Sequence, residues 1–193
     1  MRARDRFEFI AGSPALCLVD TVGKRGGEGV ERLDTPADLA AWLRAAGFPT
    51  DGIERVTEQE VDNARRLREA VYRCGLSVID RRPLAGADID VINRAAARPP
   101  LRPQMVGDVL IQTGGAPVEA ALSVLAADAL HVLGTALRER IRLCPDCRMM
   151  FFDTSRPGRR RWCSSASGCG NRAKVRNLRA RRARPASGGV GDE

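Results

Sequence analysis

Residues 143–184 read LCPDCRMMFFDTSRPGRRRWCSSASGCGNRAKVRNLRARRAR and hold four of the six cysteines of the 193-residue chain. Two residues separate Cys144 from Cys147, five separate Cys163 from Cys169, and fifteen lie between the pairs. Two thiolate pairs joined by a loop of this size can close a tetrahedron around one Zn²⁺, with sulfur ligands at ~2.3 Å. Two disulfides, or four unrelated buried thiols, would use the same residues. Three features favour zinc. The Pro145-Asp146 turn aims the first two sulfurs inward, and the Ser, Ala and Gly residues around the second pair let backbone wrap closely. The opening MRARDRFEFIAGS lacks the continuous apolar run of a secretory signal, so the chain is expected in the reducing cytoplasm, where disulfides do not persist. Four sulfurs leave no position for water or substrate, which makes the single zinc structural.

Charge separates this stretch from the rest. Of 32 Lys/Arg and 24 Asp/Glu, residues 144–193 hold 12 and 4, which leaves 20 of each sign in residues 1–143. The whole excess of +8 therefore falls on the cysteine module and its tail. Four thiolates on one Zn²⁺ return about two negative charges, and the module stays strongly basic. A focused positive patch on a neutral body points to a polyanionic partner.

Asn171–Arg184 has helical composition and ends before Pro185. Arg172, Arg176 and Arg179 fall on one helical face, flanked by Lys174, Arg181 and Arg182, and Arg159-Arg160-Arg161 adds a second basic segment. Like charges at this spacing repel, so the helix gains nothing from them alone. Phosphates offset that repulsion, since each contact releases counterions and the guanidinium fork matches phosphate oxygens. These residues, with Asn171, are the candidate nucleic-acid contacts. The plainer reading is a solvated tail that aids solubility. Val175 and Leu178 form a narrow apolar seam expected to dock on the zinc knuckle or on Phe151 and Phe152, and Trp162 is expected to pack over the metal loop. Residues 186–193 are Gly-rich and expected to be disordered.

Upstream, hydrophobic residues at 44% can build a core, and aromatics at only 4% make that core Leu/Val/Ala-rich and helical. No run of 18 apolar residues suggests a membrane span. Phe7 and Phe9 alternate as in an edge strand, and Gly23–Gly29 reads as a mobile connection without P-loop spacing. Thr35, Pro36 and Asp38 start a helix that Gly47 stops. A second helix spans Glu58–Asp80 behind a Thr57/Glu60 capping box, with Val61, Ala64, Leu67, Val71, Leu76 and Ile79 inward and Cys74 buried nearby. A third covers Ala87–Ala97, with Ile89 and Ile92 inward. Residues 104–113 suit a hairpin turning at Gly107-Asp108. A long helix over Val118–Leu143 then leads straight into Cys144. The expected fold class is mainly α (α+β).

The run Arg160-Arg161-Trp162-Cys163 followed by Cys169-Gly170-Asn171-Arg172-Ala173-Lys174 resembles the CGNR zinc finger of bacterial proteins, with Cys144 and Cys147 matching its upstream Cys-x-x-Cys. The loop Ser164–Gly168 is one residue longer than that pattern. Residues 1–142 resemble the ABATE domain, on Phe7, Phe9, Leu18–Val22, the Gly-rich loop and Glu31-Arg32-Leu33 before the Thr35-Pro36 cap. The resemblance implies an ABATE-like helical domain over 1–142, a finger with its basic helix over 143–185 and a tail over 186–193. It also implies a stress-induced regulator of transcription.

Two readings use the basic patch: a regulator that binds double-stranded DNA, or an RNA-binding zinc protein. In either, the N-terminal domain is expected to sense a signal, such as a small-molecule effector, or to pair into a homodimer. Catalysis finds little support. The single histidine, His131, is expected to be a satisfied, partly buried residue, Asp88 and Asp90 read as helix-start charges, and no His-Glu-x-x-His, Walker A or nucleophile-elbow pattern occurs.

Overall fold

The computed structural model describes residues 7–49, 55–164 and 168–183. Helices α1 (Pro14–Val19), α2 (Pro36–Ala45), α3 (Glu58–Ile79), α4 (Gly86–Ala96) and α5 (Pro117–Gly134) pack around a core rich in Leu, Val and Ala, with Trp42 the largest buried side chain. The fold is mainly α. Its strands form three two-stranded antiparallel ladders among the described residues.

The helix starts are made as their residues dictate. The Thr35 and Thr57 hydroxyls accept hydrogen bonds from the Asp38 and Glu60 backbone N–H groups, and those carboxylates accept from the cap N–H groups in return. Gly47, at φ 88°, ends the chain's run through α2. On α3, Val61, Ala64, Leu67, Val71 and Cys74 are buried, while Leu76 and Ile79 are only half-buried. On α4, Ile92 is buried and Ile89 half-buried, and Asp88 is buried too. Strands β3 (Arg102–Val106) and β4 (Val109–Thr113) form the expected hairpin, with Gly107 at φ 58° in its turn.

Three expectations about the backbone elements fail for identifiable reasons. Residues 7–10 are not an edge strand, because Gly12 turns the chain at φ 78° and Ser13 caps α1 immediately after. Phe7 is instead buried, and the Phe9 ring sits 5.8 Å from that of Trp42. The Gly-rich segment is the tip of a short ladder, β1 (Val22–Gly23) with β2 (Val30–Glu31), and it is anchored through Arg25. The long helix stops at Gly134. Thr135 adopts extended backbone, its hydroxyl donating to the His131 carbonyl and accepting from the Leu137 N–H, and a 3₁₀ turn follows over Ala136–Arg140. The chain therefore enters the cysteine module through strand β5 (Ile141–Leu143), which pairs with β6 (Met150–Phe152). His131 is exposed rather than partly buried.

The β5–β6 hairpin is built into the body. Ile141, Met150 and Phe151 are buried in the same core as α1 and α3, and the Phe152 N–H donates to the Ala11 carbonyl at 2.7 Å. Gly75 of α3 makes the seat for Met150, since a Cβ there would lie 2.3 Å from its sulfur. By length and composition α5 could cross a membrane, with mean hydropathy 1.3 over 18 residues. In this fold its Val118, Leu122, Leu125, Ala129 and Leu133 are buried in the core.

Candidate metal centre and nucleic-acid interface

The β5–β6 turn carries Cys144 and Cys147. The Cys144 N–H donates to the Met149 carbonyl and the Arg148 N–H to the Cys144 carbonyl, each at 2.9 Å. This pins the turn, and Arg148 takes φ 62° to complete it. Cys163 arrives from the returning loop, and Cys169 opens helix α6 (Cys169–Ala183). The four sulfurs lie within 4.8 Å of one another, with Cys147–Cys163 at 3.6 Å and Cys163–Cys169 at 3.7 Å. A tetrahedron with ~2.3 Å Zn–S bonds has edges of about 3.8 Å. A disulfide would need sulfurs about 2.05 Å apart, and all four cysteines are free. Cys144, Cys163 and Cys169 are buried.

The donor set fits one metal ion. Cys144, Cys147, Cys163 and Cys169 would hold it, and as four thiolates they would give it a structural role. The surroundings already lean toward the deprotonated state at one sulfur. Burial raises the Cys144 thiol, but backbone N–H groups of Cys147, Cys163 and Asp146 outweigh it and bring the group to about 7. Burial and the neighbouring sulfurs push Cys147 the other way. Without an ion the four sulfurs cannot all shed their protons, because each new thiolate opposes the next.

Asp146 fastens the basic helix to this knuckle. Its carboxylate accepts from Arg172 at 2.8 Å and Arg176 at 2.7 Å, and these guanidinium groups hold it below the usual carboxylate range. Arg172 also donates to the Cys169 sulfur at 3.0 Å. The inward residues of α6 are Cys169 and Ala173, one turn apart. Val175 and Leu178 do not dock on the knuckle or on Phe151 and Phe152; they are 47% and 50% exposed. The reason is that Phe151 is already buried in the body, and the Arg160 guanidinium covers its ring at 4.6 Å. Trp162 packs against the first turn of α6, where a Cβ on Gly170 would meet the indole at 3.2 Å.

The arginines expected to contact nucleic acid fall into two groups. Arg160, Arg172 and Arg176 are engaged within the module; Arg160 donates to the Trp162 and Cys163 carbonyls. Arg159, Arg161, Asn171, Lys174 and Arg179 are exposed, with the Arg161 guanidinium 6.0 Å from the Trp162 ring. The side chains of Arg181 and Arg182, and residues 186–193, lie outside the described residues.

Sequence reading missed Asp153. Fully buried, it accepts from the Ser155 N–H at 2.9 Å and the Arg160 N–H at 2.8 Å, so it shapes the loop that presents Arg159 and Arg161. Arg140 braces that loop by donating to the Asp153 and Ser155 carbonyls. An Asp directly after the apolar Phe151-Phe152 pair was the available signal.

Arg68, 4% exposed, was missed as well. It donates to both Glu31 oxygens at 2.7 and 2.6 Å, to Glu69 at 2.8 Å and to the Thr21 hydroxyl at 3.1 Å. Arg25 grips Glu69 from the other side and lies 4.0 Å above the Tyr72 ring. Burial alone would raise Glu31 and Glu69, yet the arginines hold both below the ordinary range. Asp20, at the end of α1, goes the other way: burial outweighs Arg32 and raises it to about 7. Burial also raises Cys17 and Cys74 to about 11, which keeps them inert apolar thiols.

Comparison with known families agrees with this architecture. Residues 12–136 match the ABATE family, whose description reads "Putative stress-induced transcription regulator", and residues 140–182 match the CGNR zinc finger. The chain belongs to the ABATE family and carries a CGNR zinc finger positioned to bind one structural zinc. Neither is an enzyme family. A search of curated proteins finds no match.

Proposed function

We propose that the protein is a zinc-stabilised transcription regulator that binds double-stranded DNA through the finger and α6. The observation that carries this reading is the anchoring of α6. Asp146 ties Arg172 and Arg176 to the sulfur cluster, which fixes the helix by its first turns and leaves Lys174 and Arg179 exposed. Arg159 and Arg161 join them from the loop shaped by Asp153, and Arg181 and Arg182 extend the basic run. In this reading Arg160, Arg172 and Arg176 act mainly by positioning, and the exposed cations meet phosphates. Residues 1–142 act as the signal-sensing or assembly part, residues 143–185 as the nucleic-acid part, and neither performs catalysis.

The test mixes the zinc-loaded chain with a mixed-sequence DNA duplex and with matched RNA across a salt series. Duplex binding that weakens steeply with salt and exceeds RNA binding is expected. A wide preference for RNA would replace the DNA assignment, and no binding to either at low salt would end the reading.

A further inference from the structure

The body carries equal numbers of acids and bases, but they are not mixed evenly over its surface. Glu31, Glu69 and Asp88 are taken up by Arg68, Arg25 and Arg73. A broad groove lies between the end of α3 with the segment after it and the stretch Arg138–Leu143. Its lining includes Arg81, Arg82, Arg138, Arg142 and Arg148 against two acids, Asp80 and Glu139, and Asp80 is already paired with Arg82 at 2.7 Å. Arg142 also lines an adjoining depression with Arg159, Arg160 and Arg161, where no acid contributes. The Arg142 guanidinium bridges the two, donating to the Glu139 and Ile141 carbonyls on one side and to the Gly158 carbonyl on the other.

Eight arginines from the body and the finger thus border two adjoining depressions that share Arg142 and Leu143. Among the described residues no carboxylate pairs with Arg81, Arg138, Arg148 or Arg159. Arg81 and Arg148 occupy left-handed backbone at φ 54° and 62°. Glycine or asparagine would adopt that conformation at lower cost, yet both positions place a cation at the groove. Closely spaced cations without counter-charges destabilise the folded state unless an anion with repeated charges lies among them.

We propose that this groove is a second nucleic-acid contact surface, which takes the sugar–phosphate backbone of a duplex held at the finger and extends the site onto the helical body. The inference rests on the reading of the finger as a DNA-binding element, and it adds contacts from Arg81, Arg82 and Arg138 of the body that the finger alone does not supply. Charge complementarity selects the occupant. Five arginines against two acids line the first depression and four against none the second, which offers a polyanion more cationic contacts than a single small anion would use.

The experiment uses the zinc-loaded full chain and a mixed-sequence duplex of two helical turns, with affinity followed by fluorescence anisotropy against salt. R81Q/R138Q removes charge from the body alone, and K174Q/R179Q removes it from the helix alone. Zinc content and thermal midpoint are expected to match the parent in both. The groove variant is expected to bind about tenfold more weakly at low salt, and its log K against log salt slope should flatten by about 2, since each lost phosphate contact removes about 0.9. If R81Q/R138Q keeps the parent affinity and slope while K174Q/R179Q loses binding, the groove proposal is overturned and the finger reading stands. A groove variant that loses affinity for polyglutamate but not for duplex also overturns it. A parent protein that binds no nucleic acid at low salt removes the finger reading and this inference together.

Discussion

The body and the finger tip are both rich in arginine, and they use it in opposite ways. Inside the body, Arg68 and Arg25 converge on Glu31 and Glu69 and stitch the β1–β2 ladder to α3. At the tip Asp146 offers its carboxylate to α6 and is shared by two arginines. One set of cations is neutralised at close range and serves the fold. The other remains exposed, on a scaffold held together by the sulfur cluster and the Asp146 ion pairs. Arginine content is therefore no guide to role until the position of each carboxylate is known.

The strongest way to break the comparison is to remove the metal. Cys147→Ser or Cys163→Ser should lower bound zinc from one per chain to none and unfold the finger, as structural zinc contributes ~10–16 kcal/mol in finger peptides. Metal analysis together with proteolysis checks this; full zinc occupancy in either variant would refute the four-sulfur site. The hairpin is shared with the core through Met150 and Phe151, so the body should lose stability at the same time.

Next in size is Arg68→Leu. It leaves Glu31 without its bidentate partner, while Glu69 keeps Arg25, and should destabilise the body by about 3 kcal/mol, at the low end for a broken buried pair because Glu31 keeps some solvent. Arg179→Ala at the tip should change stability by less than about 0.5 kcal/mol while lowering nucleic-acid affinity. Denaturant melts of the two variants give the contrast directly, and equal stability losses would erase it.

The joint between the regions gives a third test. Gly12 sits at φ 78°, and a Cβ there would lie 2.7 Å from the Phe152 carbonyl oxygen, a backbone atom with little room to yield. Gly12→Ala should cost about 2–3 kcal/mol through positive-φ strain and crowding. The exchange rate of the Phe152 amide, which donates to Ala11, reports whether the loss is felt at that contact.

A fourth test concerns pH. Asp20 titrates near 7 in the folded protein, raised by burial from its usual carboxylate range. The folded state therefore holds a proton that the unfolded chain releases between about pH 4 and 7, and stability contributed by Asp20 is lost as pH rises through that window. Each unit of pKa difference corresponds to about 1.4 kcal/mol. Asp20→Asn should flatten this fall between about pH 4 and 7, as read by urea midpoints; an unchanged slope would assign it to other groups.

Much of this was legible beforehand where the information is local. Thr35 and Thr57 stand three residues before Asp38 and Glu60, and capping needs nothing more distant. The Gly107-Asp108 hairpin was equally local. The cysteine spacing announced the metal centre for the same reason, since ligand chemistry restricts the residue types and loop lengths that can serve. The failures came where partners are remote. Phe7 and Phe9 alternate like a strand, but Phe7 is buried in the core and the Phe9 ring lies against Trp42. Val175 and Leu178 look like a docking seam, but their intended surface was already filled by the burial of Phe151.

The sequence by itself determined that four cysteines are spaced to hold one ion, that the α3 and α2 helices begin where they do, and that the net positive charge belongs to the C-terminal module. Those properties follow from spacing, capping chemistry and composition, which are fixed along the chain. Only the tertiary structure decided which arginines meet carboxylates. It joined Arg68 to Glu31 across 37 positions and Asp146 to Arg172 across 26, and it gathered Arg81 and Arg138 around one depression with Arg142, which lines a second with Arg159. Coulomb interactions depend on distance in space, and folding sets that distance without regard to separation along the chain.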